Sequence, residues 1–417
     1  MTLRTFTLFA IASALVLSAC LVPRTLAAPV IGHGFTGEWA LAWSCGRDGA
    51  LRNDFREVAG DEAAFPVTWT VIDPAGKAPR LLKFGRDGQV ARDMALLSGE
   101  EAMGSEDGSV FVAWRPDPSE SSWDAFRFFH SESDEPAWEA SAPGRPILFS
   151  ADGRTFVIAR TLHGKDRFAR SEIDGAGSLR LVGADGEVRG DLPFHPTFSR
   201  FTSVGSQLVL LHDRELLVLD RFGALAWNRE VPLDHLVVRG GLSNLSVGGD
   251  RIAVGGGGDQ PAGEGFSEFL HPPRASSLMV FRSDGELLWS RTDSEEHGPR
   301  SHLSCELSAD GTVLATFHTN PREDVITLHD AAGGEVLWAK TILRRPGTKT
   351  LSISPDGELI VLVRGDVKPQ VYAWSRDGAL EWDGILPFQT RFGRMAGTDL
   401  LLLDHHIVRL VTASDLR

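Results

Sequence analysis

The sequence is poor in several residue types and in positive charge. Its 417 residues include three cysteines and one tyrosine, and only six of the 42 basic residues are lysines. Acidic residues number 56, so the net charge is -14. This balance argues against a nucleic acid partner, because phosphate binding requires a cationic surface. A content of 42% hydrophobic and 24% charged residues is typical of a globular protein and excludes a disordered chain or a polytopic membrane protein.

The N-terminus carries an apolar run over residues 6–19, and no later segment is as long and as apolar. The run has the length of the hydrophobic region of a signal peptide and is short for a membrane span. It ends in Leu17-Ser18-Ala19-Cys20, which resembles the lipobox of bacterial lipoproteins and implies removal of residues 1–19 and a lipid on Cys20. The alternative is ordinary cleavage that removes residues 1–27. We therefore expect an exported protein, either lipid-anchored in the periplasm or outer membrane, or soluble in the periplasm or secreted.

Cysteine is too scarce for a disulfide framework. If Cys20 carries lipid, only Cys45 and Cys305 remain, 260 residues apart. An exported protein can pair two such residues. A Cys45–Cys305 disulfide and two buried thiols are therefore the two alternatives.

The rest of the chain is a repeat, which determines the fold prediction. Three segments read as a strand, an Asp-Gly turn and a second strand, and they contain Asp152-Gly153, Asp310-Gly311 and Asp356-Gly357. Asp-Gly suits tight hairpins, because Gly accepts positive φ and Asp caps its own turn. Four further hairpins end in a tryptophan, namely Trp227, Trp289, Trp338 and Trp382.

Two hairpins in each unit of about 45 residues make a four-stranded antiparallel sheet, and radial stacking of such sheets is a β-propeller. Turns of the second hairpin fall near positions 87, 135, 185, 222, 284, 333, 377 and 415. We predict an all-β chain with a single propeller domain over residues 28–417, with eight blades preferred and seven as the alternative. The last copy stops before its outer strand, which we expect from residues 30–38. An insertion loop is predicted near residues 255–275.

The tryptophan-ending hairpins resemble the repeats of PQQ-like (quinoprotein-type) β-propellers, and the Ser-x-Asp-Gly hairpins resemble WD40-like and TolB-type repeats. The resemblance covers about residues 36–417 and is clearest over 205–385. It implies the fold and leaves the activity open, and it implies that the tryptophans pack between blades. Similar eight-bladed lipoproteins include the propeller subunit of the bacterial outer-membrane barrel-assembly machinery, but no partner-contacting residue can be carried over from it.

Motifs for chemistry are scarce. Quinoprotein dehydrogenases hold Ca²⁺ with Glu, Asn and Asp and often carry adjacent cysteines, whereas this chain has no Cys-Cys and no asparagine in a matching motif. The adjacent His405 and His406 would point to opposite faces of a strand. No Gly-x-Ser-x-Gly elbow supplies a nucleophile. We therefore predict no catalytic or metal-binding residue and no cofactor, PQQ with Ca²⁺ included.

Residues 98–140 hold eleven acidic residues, two arginines and seven Phe or Trp residues. Aromatic side chains can anchor a protein partner while acidic ones steer it. The residues predicted for such a patch are Glu100, Glu101, Trp114, Trp123, Asp124 and Trp138. The alternative is that the aromatic side chains are core and that the acids form a solvated edge.

The function that these observations favour is an exported, non-catalytic binding or scaffold protein of the bacterial cell envelope. It would act through protein–protein contacts with an envelope partner, and through a lipid anchor with the membrane. The alternative is a PQQ-dependent dehydrogenase-like or lyase-like enzyme with its site at the central channel.

Overall fold

The structure is a computed structural model of the chain, and the statements below concern the residues that it describes. These residues are 39–46, 67–71, 80–84, 90–105, 109–115, 124–142, 145–150, 153–161, 177–192, 198–201, 207–212, 214–231, 245–258, 275–293, 302–319, 323–344, 349–364, 369–385, 392–396, 399–403 and 407–413.

The described residues form strands and no helix, and the strands make eight antiparallel sheets. Sheet 1 has three described strands, β2 (Val67–Val71), β3 (Arg80–Phe84) and β4 (Val90–Ala95). Sheet 2 contains β5 (Glu101–Gly104), β6 (Val110–Arg115), β7 (Asp124–His130) and β8 (Trp138–Ala142). Sheet 3 contains β9 (Arg145–Phe149), β10 (Thr155–Thr161), β11 (Gly177–Gly183) and β12 (Val188–Leu192). Sheet 4 contains β13 (Phe198–Phe201), β14 (Leu208–His212), β15 (Glu215–Leu219) and β16 (Leu225–Glu230).

The later sheets follow the same plan. Sheet 5 contains β17 (Leu245–Gly248), β18 (Arg251–Gly258), β19 (Ala275–Arg282) and β20 (Leu287–Asp293). Sheet 6 contains β21 (His302–Leu307), β22 (Val313–Thr319), β23 (Glu323–Asp330) and β24 (Val336–Leu343). Sheet 7 contains β25 (Lys349–Ile353), β26 (Leu359–Arg364), β27 (Gln370–Ser375) and β28 (Leu380–Ile385). Sheet 8 contains β29 (Phe392–Ala396), β30 (Asp399–Leu403), β31 (Ile407–Ala413) and β1 (Trp39–Gly46).

The chain ends meet in sheet 8, where β1 pairs antiparallel with β31. An N-terminal strand therefore completes the last sheet as predicted, although it comprises residues 39–46 and begins nine residues later than the predicted segment 30–38. The remaining sheets are built from consecutive strands.

The hydrophobic core lies between neighbouring sheets. Each of the six buried clusters combines residues from two consecutive sheets, as when Val112 and Phe128 of sheet 2 pack with Phe156 and Ile158 of sheet 3. A strand in the middle of a sheet is covered on both faces and so reads as a continuous apolar run. In β26, Leu-Ile-Val-Leu-Val-Arg, all six residues are buried. Sheets that stack face to face in this way form a β-propeller, so the predicted fold is confirmed.

The predicted Asp-Gly turns are present with the expected geometry. Gly311 and Gly357 have φ of 72° and 74°, a region that only glycine enters at little cost. Oδ1 of Asp310 accepts the backbone N–H of Thr312 at 2.9 Å, so the aspartate caps its own turn.

Other predictions about the chain's layout are corrected or stay open. Strand β18 continues to Gly258. Gly255, the first residue of the glycine run, already pairs with Leu278 in the ladder. The glycine run therefore belongs to the ladder and does not open the predicted insertion loop, and residues 259–274 lie outside the described ones. Residues 47–66, which precede the three-stranded sheet 1, also lie outside them, so the eight-bladed ring and the single domain over 28–417 stay predictions.

Candidate functional site

The acidic, aromatic window of residues 98–140 contributes mainly to the core. Trp114 is 1% exposed and Phe126 and Phe128 are equally buried. Glu100 is 5% exposed, and its Oε1 accepts the Nε–H of Arg127 at 2.9 Å. Trp114 and Glu100 cannot reach a partner at the surface, so for these two residues the predicted patch is wrong. The burial of Trp114 follows from the position of β6 in the middle of its sheet, where Val110–Trp114 are all covered.

Other members of the predicted set are only partly described. Trp138 is half-buried and stacks on Phe128, with ring centroids 5.2 Å apart. Glu101 and Asp124 lie in β5 and β7, of which the structure describes these two residues only by their backbone, and Trp123 lies outside the described residues. The patch as a whole stays a prediction.

The predicted cysteine chemistry also stays open. Cys20 lies outside the described residues, and Cys45 is described only as a backbone position in β1. Cys305 is buried in β21, where its Sγ lies 3.7 Å from the carbonyl oxygen of Ala253.

The tryptophans of the second hairpins do pack between sheets, as predicted. In sheets 4 to 7 a register shift, such as the one between Leu328 and His329, precedes the tryptophan and places one extra residue in the outer strand. Such a bulge re-aims the following side chain. The indole Nε1–H then donates to a turn carbonyl of the next sheet. The donor–acceptor pairs are Trp138–Ala184 at 2.7 Å, Trp227–Ser283 at 2.8 Å, Trp289–Ala331 at 3.0 Å and Trp338–Arg376 at 3.0 Å.

A buried ionic cluster joins sheets 6 and 7 at the end of the molecule opposite these turns. Oδ1 of Asp324 lies 2.8 Å from Nζ of Lys349, and its Oδ2 lies 3.1 Å from a guanidinium nitrogen of Arg364. Burial lowers the pKa of the Lys349 ammonium, while the hydrogen bond to Asp324 opposes that shift. Breaking such a pair is costly, because the remaining charge would be buried without compensation. The cluster therefore holds two neighbouring sheets together.

Within the part of the chain that the structure describes, no group of three or more His, Cys, Asp or Glu side chains is arranged to hold a metal ion. Within the same part, no helix is long and apolar enough to cross a membrane.

The outer strands of sheets 6 and 7 carry exposed apolar side chains, two of which, Val336 and Leu380, open their strands as exposed apolar residues also do in sheets 3, 4 and 5. Ten large hydrophobic side chains are exposed among the described residues, and half of them lie on β24 and β28. These five are Val336, Leu337, Leu343, Leu380 and Ile385. Exposed apolar side chains that collect on one side of a protein are a feature of interaction sites. We refer to these five residues and the depression described next as the outer surface of sheets 6 and 7.

A depression of about 580 Å³ lies at the turn end of this surface, between β24 and sheet 7. Its lining residues are Leu337, Glu358, Ser375, Arg376, Asp377 and Glu381. Hydrogen bonds from the Ser375 hydroxyl and the Ala379 backbone hold the pKa of Asp377 below its usual value. Glu358 lies 3.3 Å from the guanidinium of Arg376. Three carboxylates and one guanidinium line the depression, and the charge of Lys340 also lowers the pKa of Asp377, so the acidic groups outnumber the basic ones by one.

The sequence contains a signal for this surface that lies outside the site motifs. The segment after each repeat tryptophan is an outer strand, whose residues meet solvent. After Trp227 the strand continues as Asn-Arg-Glu, whereas after Trp338 it continues as Ala-Lys-Thr-Ile-Leu. An apolar continuation at an outer position therefore distinguishes sheet 6 from sheet 4 in the amino-acid sequence itself.

Comparison with known proteins identifies one matching family and solved structures with a similar fold. The family described as outer membrane protein assembly factor BamB matches residues 107–383. BamB from Moraxella catarrhalis superposes with a TM-score of 0.52 at 12% identity, covering 90% of this chain and 99% of that one. A eukaryotic initiation factor also has a TM-score of 0.52, at 13% identity, covering 78% and 76%. Both likenesses concern the fold alone. No curated protein matches the chain.

Proposed function

The chain belongs to the family of the outer membrane protein assembly factor BamB, and from that premise we propose that it is an exported, non-catalytic scaffold of the bacterial cell envelope. It acts by binding another envelope protein. The observation that carries the proposal is the outer surface of sheets 6 and 7, where five exposed apolar side chains lie on the outer strands of two consecutive sheets.

The physical basis is the cost of leaving such side chains in water. Burying apolar surface gains about 25 cal/mol for each Å², and Leu343 is 74% exposed. Apolar anchors beside a charged rim are the usual composition of a protein-binding surface. A strand edge is also open to main-chain pairing with a partner. These features favour a protein over a small molecule as the ligand.

The test is affinity isolation of the full-length protein from cross-linked cell envelopes. We expect a near-stoichiometric envelope partner with the wild type and its loss with Leu343→Glu and Ile385→Glu. The matched control is Leu225→Glu, because Leu225 is also exposed, at 55%, on the outer strand of sheet 4. Recovery of the wild-type protein alone, or equal loss with the control, would overturn the proposal.

Export and anchoring are proposed from the N-terminal sequence, in which the apolar run ends at Cys20. Fractionation of cells that express the wild type and Cys20→Ser tests both. We expect the wild type in the membrane fraction and incorporation of labelled fatty acid at Cys20, and the variant without lipid. Lipid-independent release of the wild type into the periplasm would support cleavage after residue 27 instead. A cytoplasmic wild-type protein would contradict export.

A further inference from the structure

Strand β24 is the longest outer strand of sheets 1–7. Its only described strand neighbour is β23, so its other side presents backbone N–H and C=O groups. Proteins protect such edges with charges, proline or short strands. Strand β16 follows this rule with six residues that end in Asn-Arg-Glu, whereas β24 has eight residues and ends in Thr-Ile-Leu.

The protective features of β24 are few. It contains no proline, and its one charged residue is Lys340. Nζ of Lys340 lies 5.9 Å from the ring centroid of Trp338, so this charged group lies over an indole of the chain itself. The bulge at Leu337 interrupts the ladder only at the turn end. The segment Trp338–Leu343 remains regular, and at about 3.3 Å per residue it offers about 20 Å of edge.

The acidic depression lies at one end of this edge, because Leu337 belongs to both. Glu358, Asp377 and Glu381 line the depression together with Arg376, and the charge of Lys340 also acts on Asp377, which leaves the acidic groups in excess by one. Charge complementarity between two surfaces suppresses wrong partners and steers the right one. A cationic side chain is therefore the complement to this end of the edge, and apolar side chains are the complement to the end at Leu343.

We infer that β24 accepts an extended segment of the partner protein as an added strand, with apolar residues along the edge and a Lys or Arg in the acidic depression. The inference rests on the proposed function, since it names the partner's chemistry at the same surface. Strand addition uses main-chain hydrogen bonds for affinity and side-chain sites for selectivity.

The probe is a fluorescent synthetic peptide as long as β24, in which Val and Thr alternate and one terminal residue is Lys. Both placements of the Lys are made, and matched peptides carry Glu instead. Each is titrated against the full-length protein by fluorescence anisotropy. We expect one Lys peptide to bind at least about tenfold more tightly than its Glu counterpart.

Two variants separate the edge from the depression. The double variant Thr341→Lys, Leu343→Lys places charges on the edge and is expected to weaken the Lys peptide at least about tenfold. Glu358→Lys is expected to reverse the preference, so that the Glu peptide binds more tightly. Asn228→Lys on β16 is the control and leaves binding unchanged. Far-UV circular dichroism establishes that each variant is folded.

The inference is overturned if no peptide binds, if Lys and Glu peptides bind alike, or if the edge variant binds as the wild type does. Its failure can be told from failure of the proposed function. A cross-linked envelope partner that the edge variant still recovers would leave the scaffold role standing and exclude β24 as the docking strand.

Discussion

The two sides of sheet 4 are joined to their neighbours by different residues. Toward sheet 5, the indole of Trp227 lies against Gly285 and donates to the carbonyl of Ser283 at 2.8 Å. Toward sheet 3, the position of the tryptophan is occupied by Gly190. A Cβ built on Gly190 would lie 3.7 Å from Cα of Gly223, so two backbones meet where an indole lies elsewhere.

The difference lies in the side chains, because the backbone plan is shared. The outer hairpins of sheets 3 and 4 both have a register shift at the same point, between Leu181 and Val182 and between Val218 and Leu219. The cluster between sheets 3 and 4 is aliphatic, whereas Trp227 and Phe281 take part in the one between sheets 4 and 5. The junction between sheets 1 and 2 is filled by a third kind of side chain, since Arg92 donates there to the carbonyl of Ser133. The repeat therefore specifies the bulge and the turn, and several side chains can fill the junction.

The largest effect is expected where the indole is removed. Trp227→Ala deletes the ring that contacts Gly285 and Phe281 and leaves the Ser283 carbonyl without its donor. Truncation of a large core side chain costs about 3–5 kcal/mol. Since Trp227 is half-buried, we expect a loss of about 3 kcal/mol in the free energy of unfolding, measured by urea denaturation. A loss no larger than that of an exposed-site control such as Leu225→Ala would show that the junction does not depend on the ring.

The glycine on the other side of the same junction is expected to rank second. Gly285 has φ of +91°, and a Cβ there would lie 2.9 Å from the ring of Trp227. Gly285→Ala therefore combines backbone strain with overpacking, and we expect a loss of about 2 kcal/mol. The control is Gly99→Ala, whose φ is +78° but whose Cβ would meet nothing within 4 Å. If both variants lose equal stability in urea, the contact with the indole has no cost of its own.

A third, smaller effect isolates the hydrogen bond. Trp227→Phe keeps a ring against Gly285 and removes the Nε1–H that Ser283 accepts. A lost hydrogen bond at a half-buried site costs about 1 kcal/mol. We expect that difference in urea denaturation, well below the loss for Trp227→Ala. Equal losses for the two variants would assign the stabilisation to the hydrogen bond and not to packing.

The sequence predicted the repeated features well, because turns and bulges depend on local residues. Asp310-Gly311 forms a tight turn through its own side chain and backbone, and the tryptophan that ends each outer hairpin lies between sheets. The position of a strand within its sheet was harder to predict. Strands β6 and β24 are both largely apolar, yet Val110–Trp114 are all buried while Leu343 is 74% exposed.

The errors at the candidate site have the same origin. Acidic residues near β6 suggested a surface patch, but Glu100 is held in the interior by Arg127. Local composition does not report how many neighbours a strand has, and that number decides whether its apolar side chains are core or surface. For β24, which contains the repeat tryptophan Trp338, the deciding fact is its place at the outer edge of its sheet.

The smallest effect is expected at the junction between sheets 3 and 4, where Gly190→Ala tests whether a glycine there is required by space. Gly190 does not have the positive φ that its partner Gly223 has, and the nearest atom to its added Cβ would be 3.7 Å away, an ordinary contact distance. Alanine also restricts the unfolded chain, which stabilises a compatible site by about 0.4–1 kcal/mol. We therefore expect urea denaturation to show no loss of stability for Gly190→Ala, or a gain of that size.

Gly223→Ala is the counterpart, because Gly223 has φ of +82° and its added Cβ would lie 3.4 Å from Leu181. This variant should lose about 1 kcal/mol or more. A clear loss for Gly190→Ala would mean that the two backbones tolerate no side chain between them. That junction would then depend on the absence of side chains as strictly as its neighbour depends on Trp227.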